Sequence, residues 1–154
     1  MALPPHLLIV ESRFYSEISD QLVAGAEAAI AKAGASAERI TVPGAFEVPA
    51  AIRFALKGLE LMAVPRRYDA YVALGCVIRG ETTHYDYVCQ ESARGLMELS
   101  LQFCIAVGYG ILTCENYDQA WERARVDAGD KGGKAATAAL TMLELKRRFG
   151  FFPG

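Results

Sequence analysis

No apolar run in this sequence approaches the roughly 20 consecutive residues that a membrane-spanning helix needs. The N-terminus also lacks the charged region and apolar core of a secretory signal, so a cytoplasmic protein without a membrane partner is expected. Neither sign of charge dominates. Lys and Arg number 16 against 18 Asp and Glu, a net charge of −2, which argues against nucleic acid as a partner. The trio Lys146-Arg147-Arg148 reads instead as the complement of a helix C-terminal dipole. Cysteine is sparse. Cys76, Cys89, Cys104 and Cys114 form no C-x-x-C pair, and no histidine lies at ligand spacing from them, so no metal site is expected. Each sits in an apolar stretch and is expected to be a buried thiol of a reducing compartment. Neither the G-x-G-x-x-G nor the P-loop pattern occurs.

The chain has 154 residues, 53% of them hydrophobic. That length suits one domain over residues 1–154, large enough to bury a core. The apolar excess is largely alanine, which suits close helix packing.

Short apolar runs alternate with longer amphipathic ones. Leu7-Leu8-Ile9-Val10 reads as a buried parallel strand. Helical spacing follows over Ser16 to Ala33, with Ser16 as N-cap and Gly34 as the stop. Arg39 to Val42 is a second strand broken by Pro43-Gly44, and Glu47 to Leu61 a helix with Pro49 in its first turn. Val64-Pro65-Arg66-Arg67 is a connector. Ala70 to Val77 is a third strand, Gly80 to His84 a loop, and Tyr85 to Phe103 a long helix with Val88, Ser92, Leu96, Leu99 and Phe103 on one face. Ile105 to Thr113 is a fourth strand, where Gly108 and Gly110 signal a close backbone or ligand approach. Tyr117 to Arg125 and Lys134 to Phe149 are the last helices, with Gly132-Gly133 between them. This β-α-β-α-β-α-β-α-α order predicts an α/β fold with a parallel sheet covered on both faces.

Ligands of such sheets bind beyond the carboxyl ends of the strands. There the four strands deliver Glu11 to Tyr15, then Gly44-Ala45-Phe46-Glu47, then Arg79-Gly80-Glu81-Thr82-Thr83-His84, then Thr113 to Asn116. His84 beside a helix start feels the positive end of the dipole, which favours a neutral imidazole able to accept a proton; a surface or capping histidine fits the spacing equally well. Thr82 and Thr83 offer hydroxyls and amides for an anion, or simply a helix cap. Phe14 could stack on a planar heterocycle, while Phe46 fits core packing and Glu47 suits a helix start by dipole alone. Arg123 and Lys131 are candidate phosphate partners or plain solvated charge. His6, at the amino end of the first strand, reads as structural.

In combination these segments resemble the lumazine synthase family over almost the whole chain. The resemblance runs through Arg13-Phe14, Val42-Pro43-Gly44-Ala45-Phe46-Glu47-Val48-Pro49, Gly75 to Val88 with its R-G-x-T-x-H element, Gly110 to Thr113, Arg123-Ala124 and Asp130-Lys131-Gly132. It implies a three-layer flavodoxin-like sandwich with a four-stranded parallel sheet and no metal or organic cofactor. It implies condensation of 5-amino-6-(D-ribitylamino)uracil with 3,4-dihydroxy-2-butanone 4-phosphate to 6,7-dimethyl-8-ribityllumazine, phosphate and water. Phe14, Ala45, Phe46, Glu47, Cys76, Val77 and Ile78 would then hold the ribitylaminouracil, with Tyr109 reaching in from a neighbouring subunit. Glu81, Thr82, Arg123 and Lys131 would hold the butanone phosphate, and His84 would move protons. Homopentamers are implied, alone or assembled into decamers or 60-subunit shells, with riboflavin synthase as a further partner. Tyr15 and Asp127 depart from the family pattern, at the edge of the uracil site and in the local positive field. A non-catalytic flavin or lumazine carrier is the rival reading, against which His84, Arg123 and Lys131 speak. A phosphoacceptor signalling domain would need an Asp ending the third strand, where Val77-Ile78 stand.

Overall fold

A computed structural model describes residues 3–63 and 67–150. Four strands, β1 (His6–Ser12), β2 (Ser36–Val42), β3 (Ala70–Ile78) and β4 (Val107–Cys114), form one sheet in the order β2-β1-β3-β4, and every neighbouring pair is parallel. Five helices flank it: α1 (Ser16–Lys32), α2 (Val48–Glu60), α3 (His84–Phe103), α4 (Tyr117–Ala124) and α5 (Lys131–Arg148). The parallel sheet covered on both faces is the one expected from the strand-helix alternation, and it is the three-layer flavodoxin-like sandwich that the family resemblance implies. Of the connector expected at residues 64–67, residues 64–66 lie outside the described residues.

Side-chain alternation along each strand divides the core in two. Leu7, Ile9, Val72 and Leu74 point to the layer of α1, α4 and α5, where they meet Leu22, Ala26, Ala120, Ala136 and Leu143. Leu8, Val10, Tyr71 and Ala73 point the other way, to Val48 and Ile52 of α2 and Val88, Leu96 and Leu99 of α3. Strands buried on both faces need no polar alternation, which is why β1 reads as a continuous apolar run.

The glycines in β4 have the cause expected of them. A Cβ on Gly108 would lie 1.9 Å from the Ala135 carbonyl oxygen, so α5 seats directly on the strand backbone. The other boundary differences have local reasons. Tyr15, in extended backbone, precedes α1 with no side-chain cap, and Ser16 is already helical rather than the N-cap. Gly34 ends the helix with φ +73°, as its position predicts. β2 begins three residues earlier than its apolar pattern suggests: as an edge strand it is exposed along most of its length, so pairing with β1, not burial, defines it. α5 begins at Lys131 and takes Gly132-Gly133 into its first turn, because the Asp130 carboxylate accepts from the Gly133 amide. Its last turn carries Lys146, Arg147 and Arg148, the dipole complement read from the sequence. His6 is buried, with its Nδ1 2.7 Å from the Ser36 hydroxyl and its ring stacked on Tyr68. Only two cysteines behave as expected: Cys76 and Cys114 are buried, Cys89 is half-buried, and Cys104, in left-handed backbone just past α3, is exposed. No helix among the described residues is long and apolar enough to cross a membrane.

Candidate active site

β1 and β3 are adjacent in the sheet, but the chain leaves them in opposite directions, to β2 and to β4. That divergence opens a crevice above their carboxyl ends, the place where ligands of doubly wound sheets bind. A cleft of about 250 Å³ occupies it. β1 supplies Ser12 to the floor, and the turn after it supplies Phe14 and Tyr15. The turn after β2 supplies Gly44, Ala45, Phe46 and Glu47; β3 supplies Cys76, Val77 and Ile78; α3 supplies His84 and Val88.

Each wall has a local cause. Gly44 is extended, and residues Ala45–Glu47 form a single 3-10 turn before α2, so the helix starts one residue later than Glu47. That turn buries Ala45 and leaves Phe46 exposed at the rim rather than in the core. The Glu47 carboxylate folds back over Gly44, where a Cβ would sit 3.2 Å from its oxygen. Gly75 leaves room for the Ser12 hydroxyl, which a Cβ there would meet at 2.5 Å. Phe14 is 77% exposed and rests edge-on against Tyr15, with ring centroids 4.9 Å apart. It offers a free aromatic face at the mouth.

His84 is the first residue of α3 rather than the residue before it, and it is exposed. Its backbone amide donates to the Thr82 hydroxyl at 3.3 Å, so Thr82 caps the turn while Thr83 takes the N-cap position without a side-chain bond. The loop from 79 to 83 is held from outside the cleft. Arg79 donates through Nε to Glu115 at 2.7 Å and through Nη1 to Asp86 at 3.3 Å, and its guanidinium lies 4.3 Å over the Tyr85 ring. β3 is thereby tied to the end of β4 and to the first turn of α3.

Burial pushes the Cys76 thiol up to about 12, with smaller contributions from Cys114 and Cys89. It remains a thiol at neutral pH and is no nucleophile. His84 contributes an imidazole and Glu47 a carboxylate to the cleft lining.

The structure brings Phe14, Ala45, Phe46, Glu47, Cys76, Val77, Ile78 and His84 together. Glu81 and Thr82 lie on the exposed loop that precedes His84 and do not line the cleft. Tyr109, Arg123 and Lys131 do not line the cleft of their own chain. Tyr109 projects from edge strand β4 toward α3, where burial raises its hydroxyl pKa beside Cys89 and Tyr85. Arg123 is exposed on α4, donating to the Gln119 carbonyl at 3.0 Å, and Lys131 is exposed at the start of α5. Ser12 and Gly44 lie within the strand-end segments read from the sequence without being singled out as site residues, and Val88, on α3, lies outside those segments. Strand parity carries the signal for Ser12, which shares the face of Leu8 and Val10 once β1 extends to residue 12.

Fold and cleft together define a flavodoxin-like α/β protein with a mainly apolar ligand crevice at the switch point and a histidine at its rim. Comparison with known proteins narrows the class. Residues 4–147 match the sequence model of 6,7-dimethyl-8-ribityllumazine synthase. The chain is 56% identical over 150 residues to the 6,7-dimethyl-8-ribityllumazine synthase of Bartonella tribocorum, covering 97% of this chain and 95% of that protein. It is 56% identical over 147 residues to 6,7-dimethyl-8-ribityllumazine synthase 1 of Rhizobium meliloti, covering 96% and 95%. With the enzyme of Agrobacterium fabrum it shares 55% identity over 146 residues, covering 95% and 97%. The chain belongs to the 6,7-dimethyl-8-ribityllumazine synthase family.

Proposed function

We propose that this protein, one domain acting in the cytoplasm, condenses 5-amino-6-(D-ribitylamino)uracil with 3,4-dihydroxy-2-butanone 4-phosphate. The products are 6,7-dimethyl-8-ribityllumazine, phosphate and water, in the penultimate step of riboflavin biosynthesis. Beside the family match, the observation that carries this reading is the composition of the switch-point cleft: an exposed aromatic face, a carboxylate and an imidazole around an apolar floor.

In this reading Phe14 stacks on the uracil ring, and Ala45, Phe46 and Glu47 hold the ring and ribityl chain. Backbone groups of Cys76, Val77 and Ile78 meet the pyrimidine edge. Amides of Glu81 and Thr82 at the start of α3 receive the phosphate. The uracil amine attacks the ketone and loses water to give an imine, phosphate leaves by β-elimination, and the ribitylamino nitrogen closes the ring with loss of a second water. Each step moves a proton, which His84 carries between the two bound reactants. Phosphate departure calls for a cation. The cleft of one chain is lined by none among the described residues, and Arg123 and Lys131 lie outside it. An adjacent copy supplies them, together with Tyr109, in a homopentamer that stands alone or builds decamers or a 60-subunit shell. Apolar side chains left exposed on α2 and α3, among them Phe54, Met97 and Leu101, suit such contacts.

The test is direct. Mixing the two substrates with the protein should produce lumazine absorbance and fluorescence, and no product from an assembled, folded protein overturns the assignment. Light scattering measures the assembly. His84→Ala should slow turnover by about 100-fold, the lower end of general acid-base contributions, without abolishing it, because holding the two reactants together remains.

A further inference from the structure

Glu11 sits near the end of β1 on the face of Leu7 and Ile9, and its side chain is 1% exposed. A carboxylate in that position is out of keeping with the apolar run before it. It is met by two arginines. Arg13 Nη1 lies 2.5 Å from one oxygen, and Arg39 Nε from β2 lies 3.1 Å from the other. The second nitrogen of the Arg13 fork donates to the Ser16 carbonyl at 3.4 Å and to the Asp20 carboxylate, both in α1. One guanidinium therefore ties the buried Glu11 of β1 to the first turns of α1. The only residues between Arg13 and Ser16 are Phe14 and Tyr15.

A buried ion pair is a poor device for stability, since well-packed apolar residues of similar volume commonly do as well or better. What a guanidinium held through both terminal nitrogens supplies is fixed geometry. The ring it stands beside needs that. Phe14 is largely exposed and rests on Tyr15, so the backbone of the turn decides where its face points.

We propose that Glu11 and Arg13 are positioning residues: their ion pair sets the β1–α1 turn so that Phe14 presents its ring over the cleft, and affinity for the planar heterocyclic substrate depends on it. This rests on the lumazine synthase reading of the cleft. The pair acts on one of the two substrates through a single side chain, which a general contribution to folding would not do.

The experiment is a double-mutant cycle of Glu11→Gln and Phe14→Ala, with KM measured separately for each substrate. Absence of turnover in the wild type would count against the functional reading itself and is scored first. With turnover established, Glu11→Gln should raise KM for the ribitylaminouracil about tenfold, the scale of a lost, well-oriented aromatic contact, and leave kcat and KM for the butanone phosphate within about twofold. Phe14→Ala should raise the same KM comparably. Combining the two should add less than about twofold to either alone, because residues acting through one another are non-additive. Full additivity overturns the proposal, as does an equal rise in both KM values. A further variant separates geometry from stability. Glu11→Leu with Arg13→Met replaces the pair by apolar bulk and should melt near the wild-type temperature while keeping the raised KM. A wild-type KM in that variant would show the pair to be dispensable for positioning.

Discussion

The two faces of the sheet are built to different ends. On the α1–α5 face, backbone meets backbone. Gly108 admits the Ala135 carbonyl, and Gly132 admits the Leu22 carbonyl, where a Cβ would lie 2.0 Å away. α1 leaves none of its large apolar side chains exposed. On the α2–α3 face the covering is looser. Phe54 of α2 is 72% exposed and Leu101 of α3 is 73% exposed, and the cleft opens on this side beside Phe46 and His84. On the first face, the large apolar side chains exposed on α5 (Met142 46%, Leu145 37%) are less exposed than Phe54 and Leu101. The other face leaves large apolar side chains such as Phe54 and Leu101 in solvent on the side where the cleft opens.

The largest effect that would break this comparison belongs to Gly108. Gly108→Ala forces a methyl into the Ala135 carbonyl and should cost about 3 kcal/mol in urea unfolding, the upper part of the usual overpacking range. Gly80→Ala, at a position with nothing within 4 Å, should change stability by less than about 0.5 kcal/mol. If Gly108→Ala were equally mild, the α1–α5 face would not be the rigid one.

The looser face should respond in assembly rather than in folding. Leu101→Glu combined with Phe54→Glu should leave the unfolding midpoint of the isolated chain nearly unchanged, because both side chains already face solvent. Size-exclusion chromatography should show smaller particles, and turnover should fall by about 100-fold, the scale expected when a cation at the departing phosphate is lost. A variant that dissociates yet turns over normally would mean that each chain completes its own site.

How far the sequence discloses these two faces depends on what fixes each feature. The strands and their order are legible because burial on both sides writes itself as unbroken apolar runs, as in Leu7 to Val10 and Ala70 to Cys76. Most of the cleft is legible too, since parallel strands must deliver Phe14, Phe46 and His84 to one edge. What stays hidden is set by tertiary contact. Gly132-Gly133 reads as lying between two helices, and only the approach of α1 and the Asp130 cap make it the first turn of α5. Cys104 reads as buried because its neighbours are apolar, yet it falls one residue past the helix and turns outward. Phe46 reads as core, and a 3-10 turn carries it to the rim. Tyr109, Arg123 and Lys131 cannot be placed in the site from one chain, because their own chain does not bring them to its cleft.

Cys76 stands where the two faces meet, lining the cleft while packing with the α1–α5 core, and it gives the smallest effect near neutrality. Burial lifts its thiol from an ordinary value of 9.0 to about 12. The folded pKa is the higher one, so below pH 9.0 both states hold the proton and the group adds no pH dependence. As pH climbs from 9.0 toward about 12, the unfolded chain releases the proton first, which favours unfolding, and stability falls across that window. Cys114, Tyr15 and Tyr71, also raised by burial, add slopes of the same sign, but these cancel in a difference between two proteins that share them. Urea unfolding of wild type and Cys76→Ala, at neutral pH and again about one unit above the ordinary thiol value, therefore isolates Cys76. The stability advantage of the wild type should shrink on going to the higher pH. A difference independent of pH would mean that the thiol ionises as readily in the fold as outside it, and that Cys76 belongs to the open cleft rather than to the closed face beneath it.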